Sequence, residues 1–303
     1  MTANANAHQN GISSFCLPLN TPDPSLSTVG GKALNLARLT CAGFPVPTGF
    51  ILTTDGYNHH IDKAGLTGWM AAEASAIDAA DPVALSALSD RLRARLRTED
   101  IPEEVAAQIR SAYTGLGRPP AAVRSSATAE DLPGMSFAGQ QDTFLNVVGD
   151  EALLRAVVEC WSSLWTARAI AYRTRNDIDH ATVSLAVVVQ EMVQSDTSGV
   201  LFTANPLNGR RDETVIDATF GLGEALVSGQ VEPDHYVVET DSGKILRKQL
   251  GAKATVVRGL AGGGVEETED EPRSEQALSD EQIARLTESG QRVADLYGDP
   301  QDI

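Results

Sequence analysis

The sequence lacks the features of several large protein classes. Only 24 lysines and arginines stand against 41 acidic residues, and the formal charge is −17. Long-range repulsion therefore disfavours nonspecific binding to a polyphosphate backbone. The longest aliphatic run, Leu185 to Val189, has the length of a strand and is far below the roughly 20 residues that a membrane span needs. Neither a nucleic-acid partner nor a membrane span is expected.

Cysteine patterns and leader-like segments are also missing. Cys16, Cys41 and Cys160 are widely spaced and follow no metal-binding or disulfide pattern, so we expect buried thiols in a reducing compartment. The first residues contain no cationic flank followed by an apolar stretch, which a secretory signal requires. The default expectation is a cytoplasmic location.

The composition itself is that of a folded protein. Hydrophobic residues make up 42% and charged residues 21% of the 303 residues, which is ordinary globular usage. Taking about 150 residues per domain as a guide, the chain has material for two domains or lobes.

Residue patterns predict a mixture of helices and strands after a loose tail over residues 1–15. A helix from Gly30 to Ala42 should stop at Gly43, and helical patterns continue through residues 68–115. Asp150 should cap a helix with an inward face of Leu153, Val157, Trp161 and Leu164. Ser279 and Gln282 form a capping box for a helix through Leu296. Strands are predicted at Gly49–Thr54, Ala121–Ser126, Phe144–Val148, Val183–Val193, Gly199–Thr203, Glu213–Ala218, Asp234–Glu239 and Lys244–Gln249, and a flexible excursion at Gly262–Glu275.

Common phosphate and hydrolase signatures are absent, including GxxxxGK[ST], GxSxG and HExxH. Instead, Gly30-Gly31-Lys32 stands at a predicted helix start. The orphan amides and dipole of a helix N-terminus favour an anion, and Lys32 adds a mobile charge. The alternative interpretation is a plain turn followed by a solvated lysine.

A second candidate is the dense block that runs from Val123 to Thr143. Arg124 at a strand end, followed by small hydroxyl residues and glycines, can present a guanidinium fork and backbone amides to a polyphosphate. The alternative is a surface loop in which Arg124 pairs with Glu130 or Asp131. Gly221-Leu222-Gly223 is a third candidate, although a GxG is more often a turn.

The histidines point to no metal centre. His59 and His60 are adjacent, and the histidines follow none of the zinc-ligand patterns. We expect a surface pair.

Three stretches, in this order, resemble the nucleotide-binding domain of the phosphoenolpyruvate synthase and pyruvate, phosphate dikinase family. They are Val29–Leu36, the block Val123–Val147, and Ser198–Thr203 with Gly221–Gly229. Within this family, three segments are most similar to rifamycin phosphotransferases. They are the hairpin predicted around Thr240–Gly243, the acidic excursion and the ending Gly298–Ile303.

The resemblance implies an α+β, ATP-grasp-like fold in which two lobes clamp ATP. It places the mostly helical N-terminal part of the ATP-binding domain at residues 16–120. The grasp lobes then occupy residues 121–303, with a flap loop at 125–141.

The resemblance also implies roles for individual residues. Lys32 and Arg124 match the phosphate-contacting cations, Gly139 the glycine that closes over the phosphates, and Thr143 a nucleotide-contacting threonine. The remaining matches lie at the end of one strand. Gln190 takes the position beside adenine and ribose, while Glu191 to Val193 would supply backbone hydrogen bonds to the adenine edge. Judged without the family, Gln190 is a structural strand-end residue.

The chemistry implied is phosphoryl transfer, in which the β-phosphoryl group of ATP passes to a histidine on a separate domain and then to an acceptor. The family's magnesium-binding Glu, with a Gln and an Arg, would follow Ile303, so Mg²⁺ is expected for a longer protein, and none of the five histidines lies in the phosphohistidine motif. The histidine and acceptor domains are expected in a further region or on another chain. Rifampicin is the expected acceptor. The alternatives are a phosphoenolpyruvate synthase that acts on pyruvate, and a noncatalytic nucleotide-binding module.

Overall fold

The computed structural model describes residues 14–128 and 143–303. The chain divides into two compact units that join between Met192 and Val193, and the predicted boundary at residue 120 falls inside the first. Each unit combines helices with antiparallel strands. The predicted α+β class is therefore confirmed at the level of a mixed helix and sheet protein.

The first unit is a sheet with helices against both of its faces. Its elements in chain order are β1 (Cys16–Pro18), α1 (Leu26–Cys41), β2 (Gly49–Leu52), α2 (Thr54–Lys63), α3 (Thr67–Ser75), α4 (Pro82–Arg97), α5 (Glu103–Gly115), β3 (Ala121–Ala127), β4 (Thr143–Val147), α6 (Asp150–Ser163), α7 (Ala167–Arg175) and β5 (Leu185–Glu191).

The strand order is β1-β2-β5-β3-β4, and every neighbouring pair is antiparallel. Strand β5 lies at the centre, as its density of Val and Leu predicted. Side chains alternate between the faces of a strand. Leu185, Val187 and Val189 accordingly enter one core, whereas Ala186 and Val188 enter another.

These two cores determine which side of the sheet carries which helices. The larger core contains the inward residues of α2 to α7, including the predicted α6 face of Leu153, Val157, Trp161 and Leu164. The smaller core lies between the sheet and α1, and is built from Val29, Ala33, Ile51, Ala186, Val188 and Leu19. Helix α1 therefore has one face of the sheet largely to itself.

The second unit is a four-stranded antiparallel sheet with the order β6-β7-β8-β9 and a separate hairpin. Its elements are β6 (Thr197–Phe202), β7 (Glu213–Phe220), α8 (Glu224–Val227), β8 (Asp234–Glu239), β9 (Ile245–Gln249), β10 (Thr255–Gly259), β11 (Val265–Glu269) and α9 (Asp280–Tyr297). The predicted capping box is present, because Ser279 and Gln282 exchange side-chain and backbone hydrogen bonds.

Three local predictions were wrong. Part of the expected excursion, Val265–Glu269, pairs with Thr255–Gly259 in a hairpin. Asp150 is the first residue of α6 rather than its cap, because Gly149 takes the cap position at φ 89° and the Asp150 carboxylate pairs with Arg118 at 3.0 Å. Cys41 is exposed and only Cys160 is fully buried.

The expectation of a surface histidine pair was also wrong. His59 is half-buried and contacts Glu104 at 2.7 Å, but His60 is only 1% exposed and stacks on Trp161, with 5.0 Å between the ring centroids. Consecutive residues on a helix point about 100° apart, and His60 shares the inward face of α2 with Tyr57 and Ile61. Neither nitrogen of His60 has a hydrogen-bond partner among the described residues.

None of the helices in the described part of the chain combines the length and the apolar character needed to cross a membrane.

Burial of His60 predicts an acid-sensitive first unit. Burial lowers the pKa of His60 to about 4 from 6.5, so between these values the unfolded chain takes up a proton that the folded chain does not. The free energy of unfolding must then fall as the pH falls from about 6.5 toward about 4. We expect His60→Phe, which keeps a ring against Trp161, to lose less thermal stability than the parent between about pH 7 and about pH 4.5.

Thermal unfolding of both proteins across this range measures the effect. Some pH dependence should remain in the variant, because burial and the neighbouring Arg173 also lower the pKa of His180 to about 4. Equal losses of melting temperature in parent and variant would contradict the assignment to His60.

Candidate functional site

Helix α1 is interrupted at Gly30, the first glycine of the predicted anion-binding turn. Ser25 caps the first turn by accepting a hydrogen bond from Thr28 N at 3.2 Å. At Gly30 the backbone adopts φ 73° and ψ 169°, a conformation that side chains with a Cβ avoid. The helix resumes at Gly31, so Lys32 stands in the first turn of a new helix.

The break lies directly against the end of strand β3. A Cβ added to Gly30 would lie 2.5 Å from the carbonyl carbon of Ser126, so only glycine fits this approach. The Ser126 hydroxyl donates to Val29 O at 2.8 Å and accepts from Ala33 N at 3.0 Å. The glycine-led helix start and the Arg124-Ser125-Ser126 segment are therefore in direct contact.

Lys32 is tied to the same strand. Its Nζ donates to the carbonyl oxygen of Ser125 at 2.8 Å, and the side chain is half-buried. This bond places the ammonium group beside the residue that follows Arg124.

Arg124 and Thr143 are paired on neighbouring strands. Arg124 lies opposite Thr143 of β4 and Val188 of β5. Because alternate residues share a face, Arg124 lies on the same side of β3 as Ser126, which is the side that carries α1. The structure thus brings Lys32, Arg124 and Thr143 to one face of the sheet.

Gln190 also belongs to this face, since it pairs with Ala122 of β3 and Gly49 of β2. It is 5% exposed, and its side-chain nitrogen donates to Pro47 O at 3.2 Å. The side chain packs over Gly49, where an added Cβ would lie 3.0 Å from the Gln190 Cγ. Gln190 therefore has a structural role, and its nucleotide-contacting role stays a prediction.

Two backbone amides of the predicted adenine-edge segment, Glu191–Val193, donate hydrogen bonds to other parts of the chain. Glu191 N donates to Thr48 O and Met192 N to Pro120 O, both at 2.8 Å, and Thr48 Oγ1 donates to the Glu191 carboxylate at 3.0 Å. Val193 is 56% exposed. Any adenine contacts from this segment would therefore use its carbonyl groups or the amide of Val193.

Gly139 and the segment Gly221-Leu222-Gly223 are the remaining predicted features. Gly139 lies outside the described residues. Gly221 of the GxG segment adopts φ 74°, and an added Cβ would lie 2.8 Å from a Val256 methyl carbon. Its carbonyl accepts from the hydroxyls of Ser195 and Ser198, and Gly221 forms an isolated parallel bridge with Val257. The segment is therefore packed within the second unit, and its role as a third candidate site stays a prediction.

Reasoning from the sequence did not single out Ser126 individually. Its signal was present only as one of the small hydroxyl residues that follow Arg124. Its partners Val29 and Ala33 lie more than 90 positions earlier in the chain, and nothing local to Ser126 identifies them.

Across residues 14–128 and 143–303, no group of three or more His, Cys, Asp or Glu side chains is arranged to hold a metal ion.

Comparison with known proteins agrees with the family resemblance that the sequence motifs indicated. A family model described as pyruvate phosphate dikinase, AMP/ATP-binding domain, matches residues 26–303. A rifampicin phosphotransferase from a Streptomyces species is 45% identical over 282 residues, which is 92% of this chain and 32% of the relative. A rifampicin phosphotransferase from Bacillus subtilis is 41% identical over 297 residues, 96% of this chain and 34% of the relative.

A probable phosphoenolpyruvate synthase from Methanothermobacter thermautotrophicus is 44% identical over 280 residues, 90% of this chain and 41% of the relative. The chain therefore spans about a third to two fifths of the length of these relatives.

The close approach at Gly30 predicts an unusually damaging alanine substitution. Gly43 is a matched control, because it also has a positive φ of 81° but nothing lies within 4 Å of an added Cβ. Backbone strain alone should cost about 1 kcal/mol or more at either position. We expect Gly30→Ala to lose a further ~1–3 kcal/mol through overpacking against Ser126.

Chemical denaturation of the two variants and the parent gives the free energies of unfolding. Similar losses for Gly30→Ala and Gly43→Ala would show that the contact with Ser126 is not a steric constraint.

Proposed function

The chain belongs to the family of pyruvate phosphate dikinase AMP/ATP-binding domains, and we propose that it is the ATP-binding part of a dikinase-type phosphotransferase. One observation carries this proposal. A helix that restarts at Gly31 places Lys32 beside the end of β3, on the sheet face that also holds Arg124 and Thr143.

These groups suit the polyphosphate of ATP. A helix N-terminus favours negative charge, an ammonium supplies a point charge, and a guanidinium forms bidentate hydrogen bonds with phosphate oxygens. In a chain of charge −17, such local donors must hold the anion against the overall field. Lys32, Arg124 and Gly139 are assigned to the phosphates, Thr143 to the nucleotide, and Gln190 with Glu191–Val193 to the base and ribose.

We also propose that the fold is ATP-grasp-like. An ATP-grasp-like arrangement uses two α+β lobes. It is supported by the two compact units, each of which has its own antiparallel sheet and its own core.

For the whole protein we assign the overall conversion of ATP, water and an acceptor hydroxyl to AMP, phosphate and a phosphorylated acceptor. The β-phosphoryl group would pass through a histidine on another domain of the whole protein, with Mg²⁺ as the proposed metal. Rifampicin is the proposed acceptor, because relatives that are 45% identical to this chain include rifampicin phosphotransferases. A phosphoenolpyruvate synthase relative is almost equally similar, so pyruvate is the second candidate.

The alternative function is a noncatalytic module that binds the nucleotide without turnover. The test supplies ATP, Mg²⁺ and a histidine domain from a relative in trans, and measures AMP. Formation of AMP would favour a complete catalytic site, whereas ATP binding without AMP would favour the binding module. Adding rifampicin or pyruvate to the longer protein then identifies the acceptor by its phosphorylated product.

Arg124→Ala should weaken ATP binding, because a charge-assisted hydrogen bond contributes about 1.5–3 kcal/mol, or roughly ten- to one-hundredfold in Kd. Titration calorimetry measures the effect, with Lys244→Ala as a control at an exposed lysine in the β8–β9 turn. Unchanged ATP affinity in Arg124→Ala would reject its role.

Lys32→Ala should lower the affinity for ATP more than the affinity for adenosine, since the ammonium is assigned to the phosphates. Competition titrations with both ligands give the two ratios. Equal losses for ATP and adenosine would mean that Lys32 does not contact the phosphates.

A further inference from the structure

The hydroxyl of Ser126 occupies the place of a helical hydrogen bond in α1. In an uninterrupted α-helix, the N–H of residue 33 would donate to the carbonyl of residue 29. Here Ala33 N donates to Ser126 Oγ at 3.0 Å, and Ser126 Oγ donates to Val29 O at 2.8 Å. A strand hydroxyl is therefore inserted between the two groups, which is a recognised cause of a helix kink.

The inserted hydroxyl also acts as a cap. With Gly30 at the cap position of the resumed helix, Gly31, Lys32 and Ala33 are its first three residues. A capping side chain normally accepts a hydrogen bond from the second or third of these amides, but glycine has no side chain to do so. Ser126 accepts from the third amide and so supplies from a strand the cap that the helix cannot provide.

The insertion is held firmly on both sides. Ser126 has no exposed surface, and the backbone of Gly30 packs against it without room for a Cβ. Lys32 makes a second tie to the same strand through Ser125 O. Ser126 lies two residues after Arg124. These hydrogen bonds therefore join the strand that carries the guanidinium to the helix that carries the ammonium.

We propose that Ser126 is a positioning residue for the triphosphate: its hydroxyl keeps α1 open at Gly30 and sets the restarted helix, with Lys32, against the Arg124 strand. The proposal rests on the proposed function, since it concerns how the assigned phosphate-binding groups are arranged. Removal of the hydroxyl leaves Val29 O and Ala33 N without their bridge and loosens the helix start relative to Arg124. The binding of phosphates should suffer, whereas the binding of the nucleoside should not.

The sharpest test compares Ser126→Thr with Ser126→Val in the 303-residue chain. Threonine and valine have nearly the same shape, so any disturbance from the extra methyl group is shared, and the hydroxyl is the difference between them. The affinities for ATP and for adenosine are measured for each variant in the presence of Mg²⁺, and thermal unfolding is recorded alongside.

Ser125→Ala is the matched control, with Ser126→Ala for comparison. Ser125 is equally buried, but it lies on the opposite face of β3 from Ser126, and its carbonyl contact with Lys32 is a backbone interaction that the substitution keeps. Ser125→Ala can therefore lower the stability without changing the preference for ATP over adenosine.

We expect Ser126→Val and Ser126→Ala to bind ATP roughly five- to tenfold more weakly with adenosine affinity unchanged, while Ser126→Thr and Ser125→Ala keep the parent's ratio of ATP to adenosine affinity. The same ratio in Ser126→Val and Ser126→Thr would overturn the proposal. Equal losses for ATP and adenosine in Ser126→Val would also overturn it, because a merely structural role predicts that result.

Titration of the parent chain with ATP distinguishes a failure of the Ser126 proposal from a failure of the proposed function. If the parent binds ATP and the threonine and valine variants do not differ, only the role of Ser126 fails. If the parent does not bind ATP, the proposed function fails, and the positioning role is overturned with it.

Discussion

The close approach of the Gly30 backbone to strand β3 is the constraint on which the candidate site depends. A side chain at residue 30 would overlap the Ser126 backbone, so glycine allows the helix to rest directly on the strand. The same approach brings the Ser126 hydroxyl into the helix break and the Lys32 ammonium to the Ser125 carbonyl. The close packing at Gly30 and these hydrogen bonds therefore decide where the Lys32 ammonium lies.

This local arrangement explains how a strongly acidic molecule can offer a site to an anion. The repulsion that the charge of −17 exerts on an anion is a long-range effect, and salt largely screens it beyond about 10 Å. In the proposed site, the ammonium of Lys32 and the guanidinium of Arg124 would act within hydrogen-bond range of the phosphates, from one face of the sheet. Specific binding of a triphosphate is thus compatible with a composition that opposes nonspecific binding to nucleic acid.

The second unit is organised by a different interaction. Lys253 and Asp234 form an ion pair at 2.5 Å, and neither side chain is exposed. Burial of two charges is unfavourable unless their remaining hydrogen-bonding capacity is satisfied, and here the Asp234 carboxylate also accepts from Gly251 N, Tyr236 Oη and Ala277 N. The network joins β8 to the segments before β10 and α9.

The sequence by itself determined the features that short-range forces control. The stop of α1 at Gly43, the capping box at Ser279 and the Val-rich central strand were predicted because turn, cap and side-chain periodicity act over a few residues. It also singled out Lys32 and Arg124. Only the tertiary structure decided that His60 faces inward and that the Ser126 hydroxyl bridges the two sides of the break in α1. Ser126 meets Ala33 across 93 positions, and such a partner is selected by strand pairing and close packing, which no local pattern encodes.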